Sequence, residues 1–199
     1  SVAVTGVQTC ALPISLIFGE NSEITPLPAR TTDQDLIKAM MEGGTAKIYH
    51  CNDSEKCLKV VADASVALKW FFRERDGENG IDQAAGLLNA AVFGRVVLTQ
   101  PPHFAAEVAG VLARESPATA QRDLQRLLSV EMEVVGAPDH YILAMTLAGR
   151  YKQHVFDTLY HALALHFDDA VLVTADERYV RGARAAGRIV RLDDVSLTL

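Results

Sequence analysis

The chain has 199 residues, 49% of them hydrophobic and 22% charged, enough for one packed domain plus an extension. A formal net charge of -6 excludes a protein that holds nucleic acid by bulk charge alone. The three cysteines, Cys10, Cys51 and Cys57, all precede the first regular strand. That excludes a disulfide framework for the core and is compatible with a reducing, cytoplasmic setting. No run approaches the roughly 18 apolar residues of a membrane span.

Residues 1–57 differ from the rest. Val4 to Ile14 resembles a translated sequencing adapter and is set aside from fold reasoning as a tag would be. A secretory signal is the rival reading; the stretch lacks a basic leading region and a convincing cleavage site. Residues 15–57 carry Pro26, Pro28, Gly43 and Gly44 and one modest helical stretch, Asp33 to Glu42. They read as translation upstream of the true start, or as a real N-terminal arm. The spacing of His50, Cys51 and Cys57 fits no common zinc pattern. A compact domain is expected over 58–199, with 1–57 poorly ordered or loosely attached.

Val60-Val61-Ala62 is a short apolar run that ends on Asp63. Ser65 then reads as an N-cap, with a helix from Val66 through Trp70-Phe71-Phe72, whose aromatics belong to a core. Arg73 to Gly80 reads as a loop. Ile81 to Phe93 is an apolar-periodic helix stopped by Gly94. Arg95 to Leu98 reads as a strand closed by Pro101-Pro102. His103 to Arg114 is a helix, and Ser116-Pro117 opens another to about Leu128. Glu131 to Val135 reads as a short strand, and Asp139 as the cap of a helix to Tyr151. Phe156 to Phe167 is a helix, Ala170 to Val173 a strand, Thr174 to Ala186 a helix and Arg188 to Leu192 a last strand. Strands alternating with helices predict an α/β fold, a parallel sheet with helices on both faces.

Four acids stand out against this frame. Asp63 and Asp176 follow apolar strands, at the carboxyl ends where ligands bind in open α/β sheets. Thr174 and Glu177 read as a T-x-x-E capping box, which leaves Asp176 free. Glu107 shares a helix face with Phe104 and Val111, a face otherwise turned to the core. Asp157 opens its helix, where the dipole favours an acid. Clustered carboxylates repel one another unless cations neutralise them. Magnesium takes such oxygen ligands, and paired divalent ions assist phosphodiester cleavage. No Ser-His-Asp arrangement or P-loop is present. The six histidines are scattered; His161 and His166 read as surface or packing residues.

Val61 to Phe71, Glu107-Val108-Ala109, Phe156 to Ala164 and Val173 to Arg178 together resemble the PIN-domain family, and most closely its VapC-type toxins. The likeness covers about residues 58–199. It implies a Rossmann-like PIN fold, a Mg2+- or Mn2+-dependent ribonuclease acting on RNA, a cognate VapB-type antitoxin and a homodimer. It carries the catalytic and metal-ligating acids onto Asp63, Glu107, Asp157 and Asp176, with Asp63 and Asp157 holding the principal metal. Supporting hydroxyls fall on Ser65 and Thr174. Gly110 departs from the family's frequent Asn, and the N-terminal extension is a second departure. Over 58–199 there are 18 acidic and 15 basic residues, with Lys69, Arg73, Arg75, Arg178, Arg181, Arg184, Arg188 and Arg191 near the acids in sequence. Such residues would hold phosphates around a cation-filled cleft. An RNA-processing nuclease without an antitoxin and a non-catalytic module of the same fold are the other readings.

Overall fold

A computed structural model describes residues 57–72 and 79–195. The adapter-like segment, the Asp33 to Glu42 stretch and most of the Arg73 to Gly80 loop lie outside them. Five parallel strands form one sheet: β1 (Lys59–Ala62), β2 (Val97–Gln100), β3 (Glu133–Val134), β4 (Ala170–Thr174) and β5 (Ile189–Arg191). Among the described residues, seven α-helices flank it: α1 (Ala64–Leu68), α2 (Ile81–Val92), α3 (Phe104–Glu115), α4 (Ala120–Ser129), α5 (Pro138–Tyr151), α6 (Val155–His166) and α7 (Glu177–Ala183). The α/β fold expected from the alternation is therefore the one found.

The strand order is β3-β2-β1-β4-β5. The chain leaves the central strand β1 toward β2 and β3, then returns to the other side of β1 for β4 and β5. That reversal opens a crevice beyond the carboxyl ends of β1 and β4, the place where ligands bind in such sheets. Asp63 directly follows β1, and Thr174 ends β4.

Strands β1 and β4 are buried on both faces and so read as continuous apolar runs, whereas β3 at the sheet's edge is exposed. Val60, Val61 and Ala62, and Ala170 through Val173, are all fully buried. Helix α6 is enclosed almost all round. Tyr160, Leu163 and Ala164 join the sheet's core, while Leu159 and Ala162 pack against Ala144 and Leu147 of α5. Trp70 is in the core as expected, its Nε1–H donating to the Ala84 carbonyl at 2.9 Å. Cys57 is buried and disulfide-bonded. No cysteine follows it, so the sheet and helices rest on apolar packing.

Several boundaries differ from the sequence reading, each for a local reason. Strand β2 runs two residues later than expected, because the positive φ of Gly94 (65°) starts a turn that delays the strand to Val97. Ser116 and Pro117 lie in a turn before α4, whose cap is Thr119. Helix α5 starts at Pro138 with Ala137 at its cap, so Asp139 sits in the first turn instead of capping it. Helix α7 ends at Ala183 and tightens into a 3-10 turn, Arg184–Ala186.

Candidate active site

The largest local correction concerns the caps. The N-cap of α1 is Asp63, not Ser65: Asp63 Oδ1 accepts from the Ser65 N–H at 2.7 Å. Ser65 instead uses its hydroxyl across the crevice, where Oγ accepts from the Ala175 N–H at 3.1 Å. Asp176 is likewise not free. It caps α7, with Oδ1 accepting from the Tyr179 N–H at 2.9 Å. Thr174 belongs to β4, and Glu177 pairs with Arg191 at 2.8 Å, so the expected capping box is not formed. The strand simply runs one residue further than its apolar letters show.

These caps lock the two strand ends together. The Asp63 N–H donates to the Val173 carbonyl at 3.0 Å. Thr174 Oγ1 donates to Asp63 Oδ2 at 2.9 Å and accepts from the Asp176 N–H at 3.0 Å. One hydroxyl thus ties both strand-end acids. Asp63 has one hydrogen bond on each carboxylate oxygen, which fixes its plane.

Glu107 and Asp157 enter from α3 and α6. Glu107 is half-buried, and its Oε2 accepts from Tyr160 O–H at 2.7 Å. Tyr160 lies one turn after Asp157 on α6, so it joins the two helices at the cluster. His103 Nε2 stands 3.8 Å from the same Glu107 oxygen, and its ring meets Tyr160 edge-on at 4.7 Å between centroids. Burial holds the His103 pKa below its ordinary value, so this contact lacks the strength of a full ion pair.

Asp157 stands within reach of the charges of the other three acids. Burial raises the Asp63 carboxyl above its ordinary value; the Ser65 N–H and the Thr174 hydroxyl oppose that, and the Glu107 charge adds to it. Asp157 is pushed up to about 6, first by burial and then by the charges of Asp63, Glu107 and Asp176, with His154 opposing. Tyr179 is raised by burial and by Asp157, Asp63 and Asp176. The structure therefore brings Asp63, Glu107, Asp157 and Asp176 to one rim. Among the described residues, no three His, Cys, Asp or Glu already stand as a metal-binding group. The donor chemistry nonetheless suits a hard divalent cation, with carboxylate oxygens from four elements and no sulfur.

The PIN domain model matches residues 60–185, more than half of the chain. The chain belongs to the PIN-domain family. A curated relative, Protein TraH of Escherichia coli (strain K12), is 74% identical over 54 residues. That match takes in 27% of this chain and 12% of TraH, so the chain spans only a small part of that relative's length. PIN domains are typically metal-dependent nucleases.

Three neighbours of the PIN-domain acids escaped the sequence reading: Tyr160, His103 and Tyr179. The only signal for Tyr160 was its spacing of three from Asp157. His161, expected at the surface or in packing, is fully buried and works as a brace. Its Nε2 lies 2.7 Å from the Gly187 carbonyl, so that nitrogen carries the proton. Burial keeps the ring below its ordinary pKa, and Nδ1 then accepts from Tyr179 O–H at 3.0 Å. His166 is exposed and meets His140 edge-on.

Tyr160→Phe removes the hydrogen bond that orients Glu107. Outer partners of this kind typically contribute about 10-fold to metal affinity. The Mn2+ concentration for half-maximal cleavage is expected to rise by about that factor while kcat changes less. A Mn2+ titration of initial rates measures both.

Proposed function

We propose that this PIN domain is a metal-dependent endoribonuclease, the toxin of a type II toxin–antitoxin pair acting in the cytoplasm. The observation that carries the reading is the convergence of Asp63, Glu107, Asp157 and Asp176 on the carboxyl rim at the sheet's switch point. Asp63 and Asp157 would hold the principal Mg2+ or Mn2+, with Asp176 and Glu107 completing its surroundings. A divalent ion there would supply Lewis acidity and a nucleophilic water at neutral pH. Thr174 and Ser65 keep the strand ends, and with them Asp63, in fixed orientation.

The local charge suits a phosphate backbone, and the likeness to VapC-type toxins makes RNA the proposed substrate. Arg178, Arg181 and Arg184 are exposed, form no ion pair with another described residue, and follow Asp176 along the chain. They can meet phosphates on either side of the scissile bond. Arg188 and Arg191 are otherwise engaged. Arg188 donates to the carbonyls of Phe167 and Asp168 at 2.7 and 2.6 Å, and Arg191 is paired with Glu177, Asp193 and Asp194.

The partners of the reading are a VapB-type antitoxin and a second copy of the chain. Exposed Ile142 and Met145 on α5 and Phe156 on α6 supply apolar surface for such contacts. Among the described residues, no helix is long and apolar enough to cross a membrane.

Induced expression of the parent, Asp63→Ala and Asp157→Ala tests the reading. The parent is expected to arrest growth and both variants to permit it. Arrest by all three equally removes the toxin reading. Mn2+-dependent RNA cleavage without arrest points to an RNA-processing nuclease that needs no antitoxin. Intact RNA in every Mn2+ assay removes the nuclease itself.

A further inference from the structure

Ala62 precedes Asp63 and is fully buried. The direction of its peptide groups follows from its neighbours. The Asp63 N–H donates to Val173 of β4. Successive residues of a strand present their N–H and C=O groups to opposite sides, so those of Ala62 face β2. The backbone of β2 does not reach them. Its register with β1 ends at Val60↔Leu98, whereas β4 stays paired as far as Ala62↔Val173.

The gap is filled by a side chain. Gln100, the last residue of β2, is fully buried. With its amide oriented as the surrounding donors and acceptors require, Nε2 donates to the Ala62 carbonyl at 3.0 Å. Its Oε1 accepts from the Ala62 N–H at 3.1 Å. The amide thus reproduces the paired donor and acceptor of a missing strand residue. Its own backbone carbonyl accepts from the Val135 N–H at 2.9 Å, which anchors it on the far side.

We propose that Gln100 is a further positioning residue for Asp63, acting through the backbone where Ser65 and Thr174 act on the carboxylate. Its side chain clamps the last peptide groups of β1, and so fixes where the Asp63 carboxylate enters the acid cluster. Gln100 touches no reacting atom and acts only through Ala62. The consequence for metal binding rests on the function proposed above; the clamp itself does not.

The test compares the full chain with Gln100→Met, Gln100→Asn and Leu127→Ala. Methionine keeps length and bulk but neither donates nor accepts as the amide does. Asparagine keeps the amide one methylene short of Ala62. Leu127→Ala opens a cavity in the core, on α4, and serves as a destabilised control. The readouts are the carboxyl 13C shift of Asp63 without metal, Mn2+ affinity by calorimetry, and Tm. Both Gln100 variants are expected to move the Asp63 signal and to weaken Mn2+ binding about 10-fold or more. Leu127→Ala is expected to lower Tm and leave the other two readouts at parent values. If Gln100→Met fails to fold, Gln100→Asn carries the same readouts. An Asp63 signal unmoved in the Gln100 variants overturns the proposal, as does the same shift in Leu127→Ala. A parent that binds no Mn2+ removes the metal reading, and the Asp63 signal alone then decides the clamp.

Discussion

Asp63→Asn is expected to reduce Mn2+-dependent RNA cleavage by about a thousandfold or more, equivalent to about 4 kcal/mol of transition-state stabilisation. The same substitution is expected to raise the Tm of the metal-free protein by about 3–6 °C. The two effects have one origin. Burial and the nearby Glu107 charge lift the Asp63 pKa in the folded state. A group raised in this way stabilises the fold while protonated, and that contribution is lost as pH rises through its folded pKa. While ionised, the carboxylate therefore works against folding, and it does so where a cation would be held. Asparagine keeps the shape. Its oxygen can still accept from the Ser65 N–H, and its amide can face Thr174 Oγ1. Asp63→Ala lacks both contacts, leaving the Ser65 N–H and the Thr174 O–H without these acceptors, at roughly 1–3 kcal/mol each where buried. Alanine should therefore lose activity without the gain in Tm. Thermal melts in chelator beside cleavage rates in Mn2+ separate the cases. If asparagine lowers Tm as far as alanine, crowded charge is not what strains this rim.

The acids were visible in the sequence because each of them breaks the pattern that the fold sets. Asp63 and Asp176 stop apolar strands, and Glu107 interrupts a core-facing stripe, so each registers as a local inconsistency. Their convergence was less visible. It depends on strand order, and β1 and β4 are more than a hundred residues apart. Alternation of elements gave the parallel sheet, but only the register Ala62↔Val173 places Thr174 within reach of Asp63.

The caps fall elsewhere than composition predicts because closely spaced short polar residues can each start a helix. In Asp63-Ala64-Ser65 and in Thr174-Ala175-Asp176, composition permits either member to cap. The choice was made by tertiary contacts, since Ser65 and Thr174 are drawn across the crevice to Ala175 and to Asp63. Gln100 and Tyr160 gave almost no signal for a related reason. A buried polar side chain within an apolar element looks like noise until its partner is known, and the partners, Ala62 and Glu107, come from other elements. The basic residues show the reverse error. Arg188 and Arg191 lie near Asp176 in sequence, yet loop carbonyls and acids at the end of β5 occupy them.

The metal-free protein is expected to become less stable as pH rises from about 4 to about 6, the reverse of the usual behaviour of paired carboxylates. The Asp157 carboxyl, ordinarily near 3.8, is pushed up to about 6 by burial and by Asp63, Glu107 and Asp176. Across that window the folded chain keeps a proton that the unfolded chain releases, so the folded state binds more protons and stability declines with pH. Because Asp157 retains some contact with water, the loss is about 1–2 kcal/mol, below what the full shift would give. Asp63, also raised, contributes with the same sign. A divalent cation should cancel the trend by replacing the proton. At a hundred times its Kd, Mn2+ adds about 2.7 kcal/mol to the folded state. Below about pH 6 protons compete with it, so Mn2+ affinity should fall by up to about tenfold per pH unit. Asp157→Asn removes the competing group, and its chelator melts should be flatter over the same range. Tm measured every half unit from pH 4 to 7.5, with chelator and with Mn2+, gives two curves that diverge as pH rises. If the chelator curve of the parent is flat, or climbs, the four carboxylates do not share one field, and the basis for a cation at this rim is lost.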